Sequence, residues 1–305
     1  MDIQSNIILI SGPTASGKSN FAIKLAKKLN GEIINADSMQ VYKQLNILTS
    51  RPSKKFEKKI KHHLFGFVNV SRTFSTGEWL KLSKKKIKEI IVKKKIPIIV
   101  GGTGLYFKSL VEGMAVIPNI PMKIRNNIRE LQKKEGQKKF YKRLLKLDPS
   151  VKNKFDKNDV QRSIRAYEVI KFTRKSLYQW INKTKKQSNQ NNFIKIYIDY
   201  PRKDLLLRIF KRADEMIKEG AIEEVNNFRK LNISNDKSAS KIIGIKELGM
   251  YLDKKITLDE ARELLVIRTR QYAKRQITWF RGKMTDWSKI NPKNLKAVLK
   301  KINKS

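Results

Sequence analysis

Four runs of consecutive apolar residues, each ending in polar or glycine-rich sequence, set the plan of this chain. Ile7-Ile8-Leu9-Ile10 leads into Gly12, and Glu32-Ile33-Ile34-Asn35 leads into Asp37-Ser38-Met39-Gln40. Ile96-Pro97-Ile98-Ile99-Val100 runs into Gly101-Gly102-Thr103-Gly104, and Phe193-Ile194-Lys195-Ile196-Tyr197-Ile198 into Asp199. Stretches with helical spacing, such as Phe21 to Leu29, separate them. Continuous apolar strands alternating with helices predict a parallel sheet covered on both faces. In such sheets the chemistry gathers beyond the carboxyl ends of the strands, so Asp37 and Thr103 are expected in one crevice with the loop that follows Ile10.

Between Pro118 and about Gln187 the pattern changes to helix alone: Met122 to Lys134, Gln137 to Leu147, Asp159 to Phe172 and Lys175 to Ile181. A polar tract, Lys185 to Asn192, closes that segment and reads as a loop or hinge. After it the α/β character returns. The predicted fold is α/β, a P-loop NTPase-like parallel sheet core with an inserted all-helical domain. The core comprises residues 1–117 and 191–305, and the insertion comprises 118–190. The last long helix, roughly Thr257 to Arg281, has a Thr-x-Asp-Glu start and Gly282 as its stop. Arg268, Gln271 and Arg275 recur on it at i, i+3, i+7, with Leu265, Tyr272 and Trp279 near the other side. Such a face suits contacts to phosphates and bases, or is the solvated side of an ordinary surface helix.

The loop after the first strand carries the most specific chemistry. Gly12, Pro13, Thr14, Ala15, Ser16, Gly17, Lys18 and Ser19 match G-x-x-x-x-G-K-[ST] at every fixed position, between a strand and a helix. Glycines let the backbone curl so that its N–H groups point at an anion. The helix N-terminus and Lys18 add positive charge, and Ser19 offers a hydroxyl to Mg²⁺. The loop therefore grips a di- or triphosphate, and on its own it reads as ATP-binding.

Composition narrows the setting. With 69 Lys+Arg against 27 Asp+Glu, the net charge is +42. That balance fits a polyanionic partner such as nucleic acid, or a lysine-biased proteome, since many cations lie in solvated runs such as Lys84-Lys85-Lys86. Cysteine is absent, which excludes disulfides and thiolate metal sites. No apolar run approaches the roughly 18 to 20 residues needed to span a bilayer, and no signal-peptide pattern opens the chain. A cytosolic protein is expected.

Taken together the motifs are more specific than any one of them. The loop at Gly12 to Ser19 is followed by Asp37-Ser38-Met39-Gln40-Val41-Tyr42, His62-His63-Leu64, Gly101-Gly102-Thr103-Gly104-Leu105-Tyr106 and Asp159-Val160-Gln161-Arg162. Arg270-Gln271-Tyr272-Ala273-Lys274-Arg275-Gln276-Ile277-Thr278-Trp279-Phe280-Arg281 completes the series. This succession, covering about residues 5 to 285, closely resembles the bacterial tRNA dimethylallyltransferases. The resemblance implies transfer of a five-carbon dimethylallyl group from its diphosphate to the exocyclic amine of the adenosine 3′ of the anticodon, in tRNAs reading codons that begin with U.

The residues suit that reaction. An aryl amine is a poor nucleophile, and Asp37, a carboxylate at neutral pH, would accept its proton. Lys18, the loop N–H groups and Mg²⁺ on Ser19 would stabilise the departing diphosphate. By resemblance Thr103 hydrogen-bonds near the bridging phosphate oxygen, or it is a turn residue between glycines. The target base would have to be flipped out of the anticodon loop into a channel. Also by resemblance, Asp37, Ser38, Met39, Gln40 and Thr103 would contact the tRNA. So would Arg125, Gln161, Arg162, Ser163, Ile164 and Arg165 of the insertion; Gln271 and Arg275, on the shared face of the last long helix, are expected to contact it as well. Arg208 and Arg212, at i,i+4, would close over the diphosphate. A monomer is expected.

His62-His63 reads as a structural pair or as a metal or acid/base pair, with no acidic partner spaced for a metal site. The chain departs from the family pattern at Asn46-Ile47-Leu48-Thr49 (usually Asp-Ile-Gly-Thr), at Arg51 (usually Lys), at Gly66 (often acidic) and at Ile245 (usually Tyr). None of these is Asp37, Lys18 or Thr103. Two competing enzymes keep the phosphate loop and Asp37: a small-molecule kinase, and an isopentenyltransferase acting on free adenine nucleotide. Neither requires the long helical insertion or the charge. A non-catalytic RNA-binding or nucleotide-switch protein would have no need of a base beside the diphosphate.

Overall fold

The computed structural model describes residues 6–52, 60–183 and 192–301. Six strands form one sheet: β1 (Asn6–Ser11), β2 (Gly31–Asn35), β3 (His62–His63), β4 (Ile96–Gly101), β5 (Asn192–Ile198) and β6 (Ser288–Ile290). Their order is β3-β2-β4-β1-β5-β6, and every neighbouring pair is parallel. Helices cover both faces. The α-helices among the described residues, those of the core and of the insertion alike, are α1 (Lys18–Leu29), α2 (Thr76–Val92), α3 (Gly104–Glu112), α4 (Met122–Leu147), α5 (Val160–Thr173), α6 (Leu177–Lys183), α7 (Arg202–Lys218), α8 (Ala221–Arg229), α9 (Ile245–Leu252), α10 (Leu258–Lys283) and α11 (Leu295–Lys301).

Strand alternation divides the core in two. Ile8, Ile10, Ile33, Ile98, Val100, Ile196 and Ile198 face α1 through Phe21, Ala22, Leu25 and Leu29. Ile7, Leu9, Ile34, Ile99 and Tyr197 face the other way, onto Trp79, Ile87 and Ile90 of α2, Phe107 and Leu110 of α3, and Phe280 of α10. Because all strands are parallel, their carboxyl ends share one edge. The order β2-β4-β1 then sets the turns after Asn35, Gly101 and Ser11 side by side.

The chain divides into two compact units, residues 1–111 with 189–305, and residues 112–188. The sequence places that division at 118 and 190, and the polar tract at 185–192 lies largely outside the described residues. The described part of the smaller unit contains helix only. Its α4 breaks at Gly136 (φ 71°), between the two helices read from the sequence, and its core is Ile128, Phe140, Leu144, Val151, Ile164, Ala166 and Tyr167.

One reading needs correction. The last long helix does not stop at Gly282; it runs on to Lys283, and the Met284 N–H closes it onto the Phe280 carbonyl. Phe280 and Met284 are both buried against the sheet, and that packing carries the helix through a residue of poor helix propensity. One histidine of the pair takes an acidic partner that local spacing does not show, in a hydrogen bond. His63 Nε2 lies 2.7 Å from Glu32 Oε2 and Lys95 Nζ lies 3.0 Å from Glu32 Oε1, uniting residues far apart in sequence on neighbouring strands. Among the described residues no group of three or more His, Cys, Asp or Glu could hold a metal, and no helix is long and apolar enough to cross a membrane.

Burial opposes ionisation of Glu32 most strongly, but the hydrogen bonds from His63 and Lys95 outweigh it and hold the carboxyl below the ordinary glutamate range. A carboxyl held low contributes stability that is present above its ordinary range and lost as pH falls through it. Glu32→Gln is therefore expected to cost about 1–3 kcal/mol at pH 7 in chemical denaturation. The difference from the unmodified protein should shrink as the pH is lowered below the ordinary glutamate range.

Candidate functional site

The loop from Gly12 to Ser19 leaves β1 and enters α1 directly. A Cβ on Gly12 would lie 2.9 Å from Ser16 Oγ and 3.2 Å from the Ile198 carbonyl, so no side chain fits there. Gly17 (φ 82°) caps α1 in the left-handed region that glycine tolerates. Ser16 N–H closes the turn onto Pro13 O at 3.2 Å. Lys18 reaches back across the loop, its Nζ donating to Pro13 O at 3.3 Å.

Arg208 and Arg212, the cations expected to close over the diphosphate, both lie against this loop. Arg208 Nε donates to Ala15 O at 2.6 Å, with its guanidinium 5.3 Å from the Tyr200 ring. Arg212 donates to Thr14 Oγ1 at 2.8 Å. Burial pushes the Lys18 ammonium down to about 8, with the Asp37 charge opposing and Arg212 adding to the fall. Burial also disfavours the Arg212 charge, which Asp37 partly offsets. Two polar atoms, Ser16 Oγ and Arg212 Nε, are buried without a hydrogen-bond partner. Buried donors without partners beside buried cations are the complement of an anion. Lys18, Arg208 and Arg212 line a cavity of about 530 Å³ that also takes in Gly17, Ser19, Asp37, Gln40, Arg51 and Lys211.

Asp37 is held by its neighbours rather than by its own strand. Asn35 is fully buried at the end of β2. Its Oδ1 accepts from Asp37 N–H at 2.8 Å, and its Nδ2 donates to Asp37 O at 2.9 Å and Leu64 O at 3.0 Å. Trp79 Nε1 donates to Asn35 O at 2.7 Å, and the Trp79 ring stacks on Tyr106 with centroids 4.3 Å apart. One Asp37 oxygen, Oδ1, accepts from Met39 N–H at 2.9 Å, while Oδ2 lies on the Gly102 side. Asp37 lines a second cavity as well, of about 170 Å³, with Thr14, Met39, Leu48, Met216, Ile242, Ile243, Tyr272 and Arg275. Its carboxylate thus stands where a polar, cationic space meets a mainly apolar one. Burial and the Asp37 charge both push the Tyr272 hydroxyl upward, so it stays protonated.

Other predicted residues fall elsewhere. Thr103 lines neither cavity; its hydroxyl accepts from Ser38 N–H at 2.9 Å and donates to Ser38 Oγ at 3.2 Å. Gln40 donates its amide to Thr49 O and Ser50 O at 2.9 and 3.0 Å. Gln271 lies with Asp199, Arg270, Lys274 and Arg281 on a separate cavity of about 700 Å³, so it and Arg275 serve different spaces. In the helical unit, Arg125 and Arg165 each reach the buried Glu168 carboxylate at 3.4 Å, and Arg129 lies at 3.9 Å. Arg162 pairs with Asp159 at 3.5 Å, and the next residue along, Ser163, hydrogen-bonds to Asp159 O and Gln137. Ile164 is in that unit's core. Gln161 is exposed.

Four residues escape the sequence reading. Asn35 and Glu168 are described above. Glu224 of α8 accepts three consecutive N–H groups, from Asn46, Ile47 and Leu48, and so shapes the loop lining both cavities. Nothing in the sequence around an acidic residue on a surface helix announces that role. Gln276 accepts from Thr14 N–H at 2.8 Å and donates to Gly102 O at 3.0 Å. The signal for it was present, since it sits inside the Arg-Gln-Tyr motif. The unusual loop residues also find partners. Arg51 packs where a Cβ on Gly66 would be, 1.4 Å from its Nη1, and Leu48 packs against Gly244 (φ 105°). An acidic side chain at 66 has no room while Arg51 holds that place.

With Lys18 near 8, anion binding should weaken as pH rises through that value, because the neutral amine loses its attraction. Calorimetric titration of inorganic diphosphate from pH 6.5 to 9.5 should show a break in affinity near pH 8 that Lys18→Met removes.

The model of the IPP transferase family matches residues 40–283. The chain is 61% identical over 305 residues to a tRNA dimethylallyltransferase of Pelagibacter ubique, covering 100% of this chain and 97% of that one. It is 45% identical over 284 residues to the Rickettsia massiliae tRNA dimethylallyltransferase, covering 93% of this chain and 78% of that protein. Among solved structures, the Staphylococcus epidermidis tRNA isopentenylpyrophosphate transferase superposes with TM-score 0.69 at 34% identity, covering 96% of both chains. A eukaryotic dimethylallyltransferase captured acting on tRNA gives TM-score 0.83 at 28% identity, over 94% of this chain and 74% of that one. A parallel P-loop NTPase-like core, an anion cradle with a carboxylate at its edge and these likenesses agree: the chain belongs to the IPP transferase family of tRNA dimethylallyltransferases and is a transferase of prenyl groups.

Proposed function

We propose that the chain transfers the dimethylallyl group of dimethylallyl diphosphate to the exocyclic amine of the adenosine 3′ to the anticodon, in tRNAs reading codons that begin with U. The observation that carries this reading is the position of Asp37, lining both the cationic cavity and the smaller apolar one. A carboxylate there can serve a reaction whose leaving group is an anion and whose electrophile is a hydrocarbon.

The diphosphate would lie against the loop, with Lys18, Arg208 and Arg212 supplying charge and Ser16 Oγ and Arg212 Nε gaining partners. As the amine nitrogen bonds to the allylic carbon, the carbon–oxygen bond breaks and its electron pair leaves with the diphosphate. The amine proton passes to Asp37. A cation set that already surrounds the leaving group needs no rearrangement as charge develops there. Mg²⁺ fits this set: Ser19 offers one hydroxyl, and a hard cation bound mainly through phosphate oxygens and water needs few protein ligands. It would neutralise charge on the departing diphosphate. The adenine must leave its stack to reach Asp37, and base flipping provides the route. The cations of the helical unit, Arg125, Arg129 and Arg165, gathered on the Glu168 carboxylate, suit the anticodon stem-loop backbone. We assign this work to a cytosolic monomer.

Purified protein given Mg²⁺ and dimethylallyl diphosphate labelled in the allyl group should label unmodified tRNA and leave AMP unlabelled. Label in AMP but not tRNA would point to the free-nucleotide enzyme, and label in neither to a kinase or switch. Asp37→Ala should lower turnover roughly 10²–10⁴-fold while tRNA affinity, measured by filter binding, stays close to the unmodified value. Near-normal turnover in that variant would falsify its role as base. Asn35→Ala releases the turn that carries Asp37. It should lower kcat by at least tenfold with little change in tRNA affinity.

A further inference from the structure

The helix α10 meets the catalytic edge of the sheet through two side chains one turn apart, Gln276 and Trp279. A Cβ on Gly102 would fall 2.1 Å from Gln276 Nε2, and one on Gly104 would fall 2.0 Å from Trp279 Cδ1. These two glycines therefore have no side chain because the helix occupies the space. What the helix does with that access is specific. Gln276 Oε1 accepts from Thr14 N–H, inside the phosphate loop, and Gln276 Nε2 donates to Gly102 O, in the turn that carries Thr103. The turn after β4 is tied in its own right to the Asp37 turn, through Thr103 N–H to Ala36 O at 3.1 Å and Ser38 N–H to Thr103 Oγ1.

One carboxamide thus links the two halves of the site: the phosphate loop, and the Gly102 turn that is tied in turn to the one carrying Asp37. A group that accepts on one side and donates on the other is required, and turning the amide over would set like against like at both ends. We propose that Gln276 is a positioning residue that fixes the distance between the phosphate loop and the Asp37 turn. It touches neither reacting atom. It acts through Thr14 and Gly102, and the inference rests on the diphosphate reading of the loop. Reactions between held groups are sensitive to displacements of this kind, since about 1 Å of misplacement costs roughly 10²-fold in rate.

The test uses chemistry that a merely structural role would not reproduce. Gln276→Met keeps the length but neither hydrogen bond. It should lower kcat about 10- to 100-fold and raise the Kd for inorganic diphosphate several-fold, with tRNA affinity within twofold. Gln276→Glu is the sharper variant. As a carboxylate it faces the Gly102 carbonyl with no proton to donate. As a neutral acid it can again donate to Gly102 O and accept from Thr14 N–H. Its diphosphate affinity, divided by that of the unmodified protein at the same pH, should rise towards one as the pH falls from 8 to 5. Lys18, Asp37, Arg212 and Arg275 stand near this position in both proteins, and Tyr272, which also hydrogen-bonds Gln276, meets a carboxylate there only in the variant. Gly102→Ala should reproduce the Met variant by displacing the amide from the other side. A pH-independent ratio for the Glu variant, or a Met variant with unchanged kcat and diphosphate affinity, would overturn the proposal. Both readouts include diphosphate binding alone, so they separate this inference from the transfer reaction: failure of the unmodified protein to label tRNA overturns the function, not the brace.

Discussion

The site depends on how closely the chain leaving β4 runs beside the chain leaving β2. A Cβ on Gly101 would lie 2.0 Å from the Ala36 carbonyl, so the two backbones approach as only glycine permits. That approach lets Thr103 N–H reach Ala36 O, and Thr103 then engages Ser38 through its hydroxyl. The Asp37 turn is therefore fixed from the side by a neighbouring strand and from beneath by Asn35, itself held by Trp79. With β1 next to β4, the phosphate loop joins the same edge, and Gln276 closes the arrangement from the helix above it.

Acidic residues do unusual work in a chain so rich in cations. Against 69 Lys+Arg there are 27 Asp+Glu, and several of these sit inside as anchors rather than outside as balance. Glu32 ties His63 and Lys95 across the sheet, and Glu168 gathers Arg125, Arg129 and Arg165. Glu224, only half-buried, does the same at the surface by holding three successive backbone N–H groups of the loop lining both cavities. A buried carboxylate without such partners would be costly, so each one fixes the position of whatever satisfies it. The excess positive charge is left for the surface and for the phosphate cradle, where Lys18 and Arg212 stay beside one carboxylate, Asp37.

Much of this was legible in the residues, and the reason lies in range. The phosphate loop, the apolar strands, the helical insertion and the pairing of Arg208 with Arg212 rest on neighbours within a few positions, which spacing records directly. What spacing does not record has the opposite property. The acid that partners His63, Glu32, lies on the adjacent strand, 31 residues away. Gly282 looked like a helix stop because the packing of Phe280 and Met284 on the sheet cannot be seen locally. The partner of the Thr103 hydroxyl, Ser38, lies on a neighbouring turn 65 residues away.

By itself the sequence determined where the glycine-rich loop lies between strand and helix, which carboxylate follows the second strand, and which family these motifs resemble. Those follow from residue type and local order, because a glycine-rich turn or an apolar strand forms from its own neighbours. Only the tertiary structure decided which groups hold Asp37 in place, where the two cavities meet, and that one amide on α10 bridges the phosphate loop and the Gly102 turn, 262 and 174 residues away. Hydrogen bonds of such sequence separation carry no periodicity. They exist because parallel strands bring their ends to one edge and a helix packs across it.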